Sequence, residues 1–315
     1  MNSQSNAMPE SSLDLQKSTP ADMPATRTIC WSIQRELWEH RSIYVAPLAA
    51  AAVYMLGFLI SLVWVPHSMH HSGAPDSTPQ IIVLAMPYAH AGMLLAITGF
   101  LVGIFYSLDA LHGERRDRSI LFWKSLPVSD LTTVLSKASI PLVVLPLLIF
   151  AIAVPLQIAI RLLDTAALLL HGGNVVPLWQ LPLFQMELVL LYGLAVLALW
   201  HAPIYCWLLL VSGWAKRATF LWAMLPPLAL CALEKIAFNT NYLVTLLLKD
   251  RFFGFAAAAF DLTDKAGIPI DPHFIPLAQL APGRFLSSPG LWLGLVVAGV
   301  LLVAAVRLRR YQGSI

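Results

Sequence analysis

Six long apolar runs alternate with short polar stretches along the chain, and each is long enough to cross a bilayer as a helix of roughly 20 residues. They occupy approximately 42–65, 82–108, 138–162, 186–211, 218–238 and 291–306. The pattern predicts an all-α, polytopic membrane protein with six transmembrane helices. Ahead of the first run, residues 27–41 place Ile29, Ile33 and Leu37 on one helical stripe flanked by Trp31 and Trp38, with Arg35, Glu36 and Glu39 on the opposite side. That periodicity fits an amphipathic N-terminal helix in the membrane interface or a plain helical lead-in to the first span. Between the fifth and sixth runs, 242–248 and 252–260 are apolar blocks too short to span, separated by Lys249, Asp250 and Arg251. They fit short re-entrant or interfacial helices at the outer face, or an ordinary periplasmic loop. Prolines inside the runs, among them Pro47, Pro87, Pro141, Pro155 and Pro203, remove backbone donors and favour kinks.

Composition agrees with the pattern. Hydrophobic residues make up 58% and charged residues 12%, against about 25% charged in a soluble domain. A formal charge of +3, with the basic residues at span ends instead of in one patch, excludes a nucleic-acid partner and leaves the lipid bilayer as the surroundings. Cys30, Cys206 and Cys231 have neither C-x-x-C spacing nor clustering, so no disulfide framework or zinc site follows. Residues 1–28 are rich in Ser, Pro, Asn and Gln and read as a disordered cytoplasmic tail; 29–315 read as a single transmembrane domain. With both termini in the cytoplasm, only Arg161, Lys235, Lys249, Arg251, Lys265 and Arg284 of the 20 Lys and Arg fall outside, which is the positive-inside asymmetry.

One stretch, 109–137, is densely charged. Glu114, Arg115, Arg116, Asp117 and Arg118 belong in water, because a charge at the bilayer centre costs about 2.5 to 3.5 kcal/mol even on insertion scales. Ile120, Leu121, Phe122 and Trp123 follow as a short apolar block stopped by Pro127, and Ser129 with Asp130 offers an N-cap for the next helix. A short surface helix with exposed aromatics beside arginines suits docking into a partner's cleft; a juxtamembrane positive-inside cluster is the plainer reading.

The sequence Glu114-Arg115, then Ser119-Ile120, then Ser125-Leu126-Pro127-Val128-Ser129 and finally Lys137 resembles the first cytoplasmic loop of the ABC type-2 transporter permease family. The resemblance implies a permease subunit of a bacterial inner-membrane exporter, paired with a second permease copy or paralogue and with a cytoplasmic ABC ATPase. It further implies that the loop holds a coupling helix. Glu114, Arg115 and Arg116 would then make polar contacts to the ATPase, and Ile120, Leu121, Phe122 and Trp123 would form the apolar plug. Family permeases also carry a helix before the first span and short helices that cap the path between spans five and six.

No G-x-x-x-x-G-K-[ST] phosphate loop is present, so ATP and Mg²⁺ are expected on the partner ATPase and no cofactor on this chain. Nor is there a nucleophile with its base, an H-E-x-x-H pair or paired glutamates, and the chain is read as a transport subunit and not an enzyme. The alternative is a membrane-embedded assembly or enzyme subunit that shares only a charged loop. His67, His70 and His71 beside Met69 have the donor chemistry of a soft-metal site, but without a second ligand cluster they read as a polar loop and no metal is expected. His90 and His201 fall within spans, where helix contact is the simplest role.

Overall fold

The computed structural model describes residues 25–64, 80–117, 129–261 and 277–311. All of its regular elements there are helical. Helix α1 (Ala25–Glu39) precedes α2 (Ser42–Trp64), α3 (Gln80–Asp109) and the single turn α4 (His112–Arg116). Next comes α5 (Asp130–Ser139), joined through a π turn (Ile140–Val144) to α6 (Leu145–Leu170), and then the short α7 (Val176–Trp179). The long α8 (Leu183–Trp214) leads to α9 (Thr219–Phe238). Beyond α9 lie α10 (Tyr242–Val244), a π turn (Thr245–Asp250), α11 (Arg251–Ala259), a 3-10 turn (Leu277–Gln279), α12 (Pro282–Ser287) and α13 (Pro289–Tyr311).

Six of these rods are long and apolar enough to cross a membrane: Ser42–Trp64, Ile82–Arg116, Asp130–Leu170, Leu183–Trp214, Thr219–Phe238 and Pro289–Tyr311. The chain is a multi-pass membrane protein. The spans match the six apolar runs, but the second and third extend well past them and the fourth and sixth by a few residues, because helix continues beyond hydrocarbon wherever side chains and caps satisfy its ends. Helix also begins at Ala25, inside the segment read as a disordered tail; residues 1–24 lie outside those described.

Helices α3, α6 and α8 form the centre of the bundle, with α2 against α3 and α6, and α13 along α8. Their shared core is apolar, from Ala85, Tyr88 and Leu95 through Ile149 and Ile160 to Leu209. By contrast α9 stands at the edge and buries only Ala223, Cys231 and Glu234. The prolines at 47, 87, 155 and 203 sit inside unbroken helices. Pro141 is accommodated differently, by widening the helix into a π turn that faces a small apolar cleft lined by Ala96, Phe100, Pro146 and Tyr205. Tyr54 Oη donates to the Pro87 carbonyl at 2.6 Å, stitching α2 to α3.

Two local devices shape the ends. Ser129 is the N-cap of α5, its Oγ accepting from Thr132 N at 3.1 Å, as its place before Asp130 predicted. At the far end of α9, Glu234 accepts from Thr240 Oγ1 at 2.6 Å and from the amides of Tyr242 and Leu243 at 2.7 Å each. One carboxylate therefore folds the chain back after α9 and caps the next helix.

Close approach of α3 and α6 depends on Gly99, where an added Cβ would lie 2.8 Å from Ile149 Cγ1. We expect Gly99→Val to lower stability by about 1–3 kcal/mol through overpacking, read as a lower melting temperature in detergent, and Gly99→Val with Ile149→Ala to recover part of the loss. Equal melting of Gly99→Val and wild type would show that the helices are not in this contact.

Candidate functional site

The end of the bundle that carries α1, α4 and the start of α5 holds a cluster of charges withdrawn from solvent. Glu36 on α1 is 0% exposed, Lys137 on α5 1%, Glu114 on α4 4% and Arg309 on α13 6%. Lys137 Nζ lies 2.9 and 3.1 Å from the two Glu36 oxygens and 3.1 Å from Glu114 Oε1. Arg309 reaches Glu114 Oε2 with Nη1 at 2.9 Å and Asp130 Oδ1 with Nε at 3.1 Å. Arg35 contacts Glu36 at 2.6 Å and Glu114 at 3.4 Å, and Tyr106 Oη donates to Glu36 Oε2 at 2.8 Å. Four elements distant in sequence are thus joined by alternating charges.

Local structure explains why each group arrives there. On α1, Ile33 and Leu37 pack on the core, and Glu36, on the same helical face, is carried inward with them. The expectation that Glu36 lies on the water-facing side is therefore corrected, while Trp31 and Trp38, which flank the stripe, are exposed. Lys137 sits in the last turn of α5, the favourable place for a cation relative to the helix dipole. Burial tends to raise the Glu36 carboxyl, but the Lys137 ammonium and the Arg35 guanidinium outweigh it and hold the group down at about 2.

Glu114, Arg115 and Arg116 separate in the structure. Glu114 is shared among Arg35, Lys137 and Arg309. Arg115 is buried against the end of α8, donating to the carbonyl of Gly213 and, at 3.5 Å, to that of Ala215. Beside it Ser212 Oγ accepts from the amides of Leu111 and His112 at 3.0 and 2.9 Å, which fixes the turn between α3 and α4. Arg116 alone is well exposed, next to Asp117 at 3.2 Å. Ile120, Leu121, Phe122 and Trp123 lie outside the described residues, as do His67, His70 and His71. Among the described residues no cluster of His, Cys, Asp or Glu is arranged to hold a metal ion. His201 makes helix contacts, with Nδ1 2.8 Å from the Leu197 carbonyl and its ring against Phe100.

Sequence reasoning did not single out Glu36, Asp130 or Arg309 as partners, nor place Lys137 in a buried pair. The only signal was negative: acids and bases at both edges of the charged stretch, with no indication of which distant charge each would meet. Comparison with known proteins finds no family model, no curated protein and no solved structure that matches the chain.

Electrostatically the arrangement is a clamp. Its acids each face cations, and a single removal leaves an opposite charge stranded. Lys137→Met should cost about 3–5 kcal/mol, the range for breaking a buried pair, and adding Glu36→Gln should recover part of that in a melting assay. The folded Glu36 carboxyl titrates below its unfolded value, so its stabilising effect is complete above about pH 4.5 and is lost as pH falls towards about 2. Melting curves between pH 6 and pH 3 should fall more steeply for wild type than for Glu36→Gln; parallel curves would exclude Glu36 as the responsible group.

Proposed function

We propose that this chain is the membrane-spanning permease subunit of an ATP-binding cassette transporter, an exporter, in which a separate cytoplasmic ATPase docks on residues 118–128. The observation that supports the reading is the anchoring of that segment. Glu114 and Arg115 precede it, Asp130 and Lys137 follow it, and the buried ion network links both flanks to α1 and to the last span. A displacement of the segment by a partner then reaches α1 and α5 on one side and α4 and α13 on the other. The resemblance of 114–137 to a type-2 permease coupling loop supplies the identity of the partner. The concentration of cations at this end supports a cytoplasmic orientation by the positive-inside bias, with both termini inside and α1 in the cytoplasmic interface of a bacterial inner membrane.

In this reading two permease copies, or this chain and a paralogue, enclose the pathway. ATP binding draws the paired ATPases together, and the bundle shifts only by the difference in affinity between its two states. Glu114 and Arg115 act as positioning residues that hold the docking segment's base. Arg116 is the one of the three that reaches a partner, and Ile120, Leu121, Phe122 and Trp123 form the apolar contact. A membrane assembly or enzyme subunit remains the rival reading, and no observation in the bundle favours it.

Truncating Phe122 and Trp123 together to Ala should abolish co-purification of the ATPase, because large apolar side chains dominate such contacts at about 25 cal/mol per Å² buried. Arg116→Gln should weaken it by no more than about 1 kcal/mol, as for an exposed charge. Retention of the ATPase by the double mutant would overturn the docking assignment. Cysteines at Ser72 and Asp264 should label from the periplasmic side and one at Ser129 should not; the reverse pattern would invert the topology and remove the ATPase argument with it.

A further inference from the structure

The turn between α8 and α9 gathers cations without an acid. Lys216 and Arg217 are both exposed in it. Behind them stands Arg115, only 6% exposed, which reaches the turn by donating to the carbonyls of Gly213 and, at 3.5 Å, Ala215. Its Nε is buried without a hydrogen-bond partner. No ion pair joins Arg115, Lys216 or Arg217 to another described residue. The acids that flank Arg115 along the chain are engaged elsewhere, Glu114 by Lys137 and Arg309, and Asp117 by Arg116 at 3.2 Å.

A buried guanidinium is ordinarily paired with an acid, because carbonyl dipoles return only part of the hydration it gives up. The carbonyls at the end of α8 offset about half a charge, and the N-terminus of α9, which begins at Thr219, adds about as much in the opposite sense. Roughly three positive charges therefore remain at the turn. An anion on its outer side lowers the cost of all three by Coulomb attraction.

The flanks of the turn are apolar. Trp214 at the end of α8 and Trp222 in the first turn of α9 meet edge to face with ring centres 4.9 Å apart, and they are 47% and 43% exposed. Indoles of this kind belong at the boundary between hydrocarbon and headgroups. Trp207 Nε1 donates to the Ala223 carbonyl at 3.0 Å and ties α9 to α8 just below. Along α9 itself Phe220, Leu221 and Leu225 are exposed. An acidic protein segment matches the cations but not this apolar face, which lies within the membrane. A phospholipid with a negative headgroup matches both.

We propose that the turn between α8 and α9 is a binding site for an anionic phospholipid of the leaflet that borders the charged end of the bundle. Lys216 and Arg217 take the phosphate, and Arg115 adds its field from behind. Trp214 and Trp222 lie against the glycerol region, and the acyl chains run along the exposed face of α9. Bound lipid thereby braces a helix that buries little against the bundle. The inference rests on the membrane fold and not on the permease reading.

The test is native mass spectrometry of the full chain in detergent with an equimolar mixture of phosphatidylglycerol and phosphatidylcholine of identical acyl chains. Wild type is expected to retain phosphatidylglycerol preferentially. Lys216→Gln with Arg217→Gln should lower that preference on the order of 10-fold, as for two cations withdrawn from an anionic surface. Arg41→Gln with Arg310→Gln removes the same charge from exposed positions at the same end, and should leave the preference as in wild type. Melting is the second readout: phosphatidylglycerol should stabilise wild type more than phosphatidylcholine does, and the difference should vanish in the Lys216, Arg217 variant. Equal retention of the two lipids by wild type, or an equal loss in both double variants, would overturn the site. Stabilisation of wild type by inorganic phosphate alone, to the same extent, would make the turn a phosphate site and defeat the lipid assignment. Loss of ATPase co-purification in the Lys216, Arg217 variant with its lipid preference intact would assign the turn to a protein contact and defeat it equally.

Discussion

The contact of Lys137 with Glu36 and Glu114 is the constraint on which the charged end of the bundle depends. Lys137 lies 2.9 Å from Glu36 and 3.1 Å from Glu114, and none of the three is more than 4% exposed. Taking such groups out of water costs several kcal/mol per ion, and their mutual attraction offsets it only when the geometry is good. The geometry is good here because each buried glutamate faces several cations. Glu36 accepts from Lys137, Arg35 and Tyr106; Glu114 accepts from Arg35 and forms ion pairs with Lys137 and Arg309. The result is specific and not merely adhesive, since α1, α4, α5 and α13 satisfy these charges in this arrangement.

Much of the fold was legible in the residues. Apolar runs of span length are a direct consequence of hydrocarbon thickness, so 42–65 and 218–238 agree with Ser42–Trp64 and Thr219–Phe238 almost to the residue. The cap at Ser129 was legible because capping is local. Glu36 was not, for a physical reason. Helical periodicity places it among polar neighbours, and only a partner 101 residues away, Lys137, makes the inward position favourable. The same holds for Arg309 and Asp130, separated by 179 residues. Pairings between charges at such distance leave no periodic trace, because any base of suitable length satisfies an acid equally well on paper.

The region after α9 was half legible. Two apolar blocks separated by charges suggested short helices or an ordinary loop; residues 242–259 are helical throughout, with the charges inside the helix and not between two. What the pattern lacked was attachment to the bundle. That depends on Glu234 reversing the chain, on Trp200 seizing the carbonyls of Asp250 and Arg251, and on Gly294 leaving room for a guanidinium. Each is a single-residue condition with no repeat to reveal it.

The two ends also differ in how they treat charge, and the difference bears on motion. At the Lys137 end, both glutamates retain a cation if the network divides between α1 with α5 and α4 with α13: Glu36 keeps Lys137 and Arg35, and Glu114 keeps Arg309. Parting along that line loses the contacts of Glu114 with Lys137 at 3.1 Å and Arg35 at 3.4 Å and that of Arg309 with Asp130 at 3.1 Å, and the carboxylate it leaves, Asp130, is 25% exposed and within reach of water. Parting along any line that isolates Lys137 does strand one, and costs correspondingly more. An apolar contact of the same size would resist every displacement alike, in proportion to area. A shared set of ions instead selects one direction of yielding, in which α4 moves with α13 while α1 and α5 stay together.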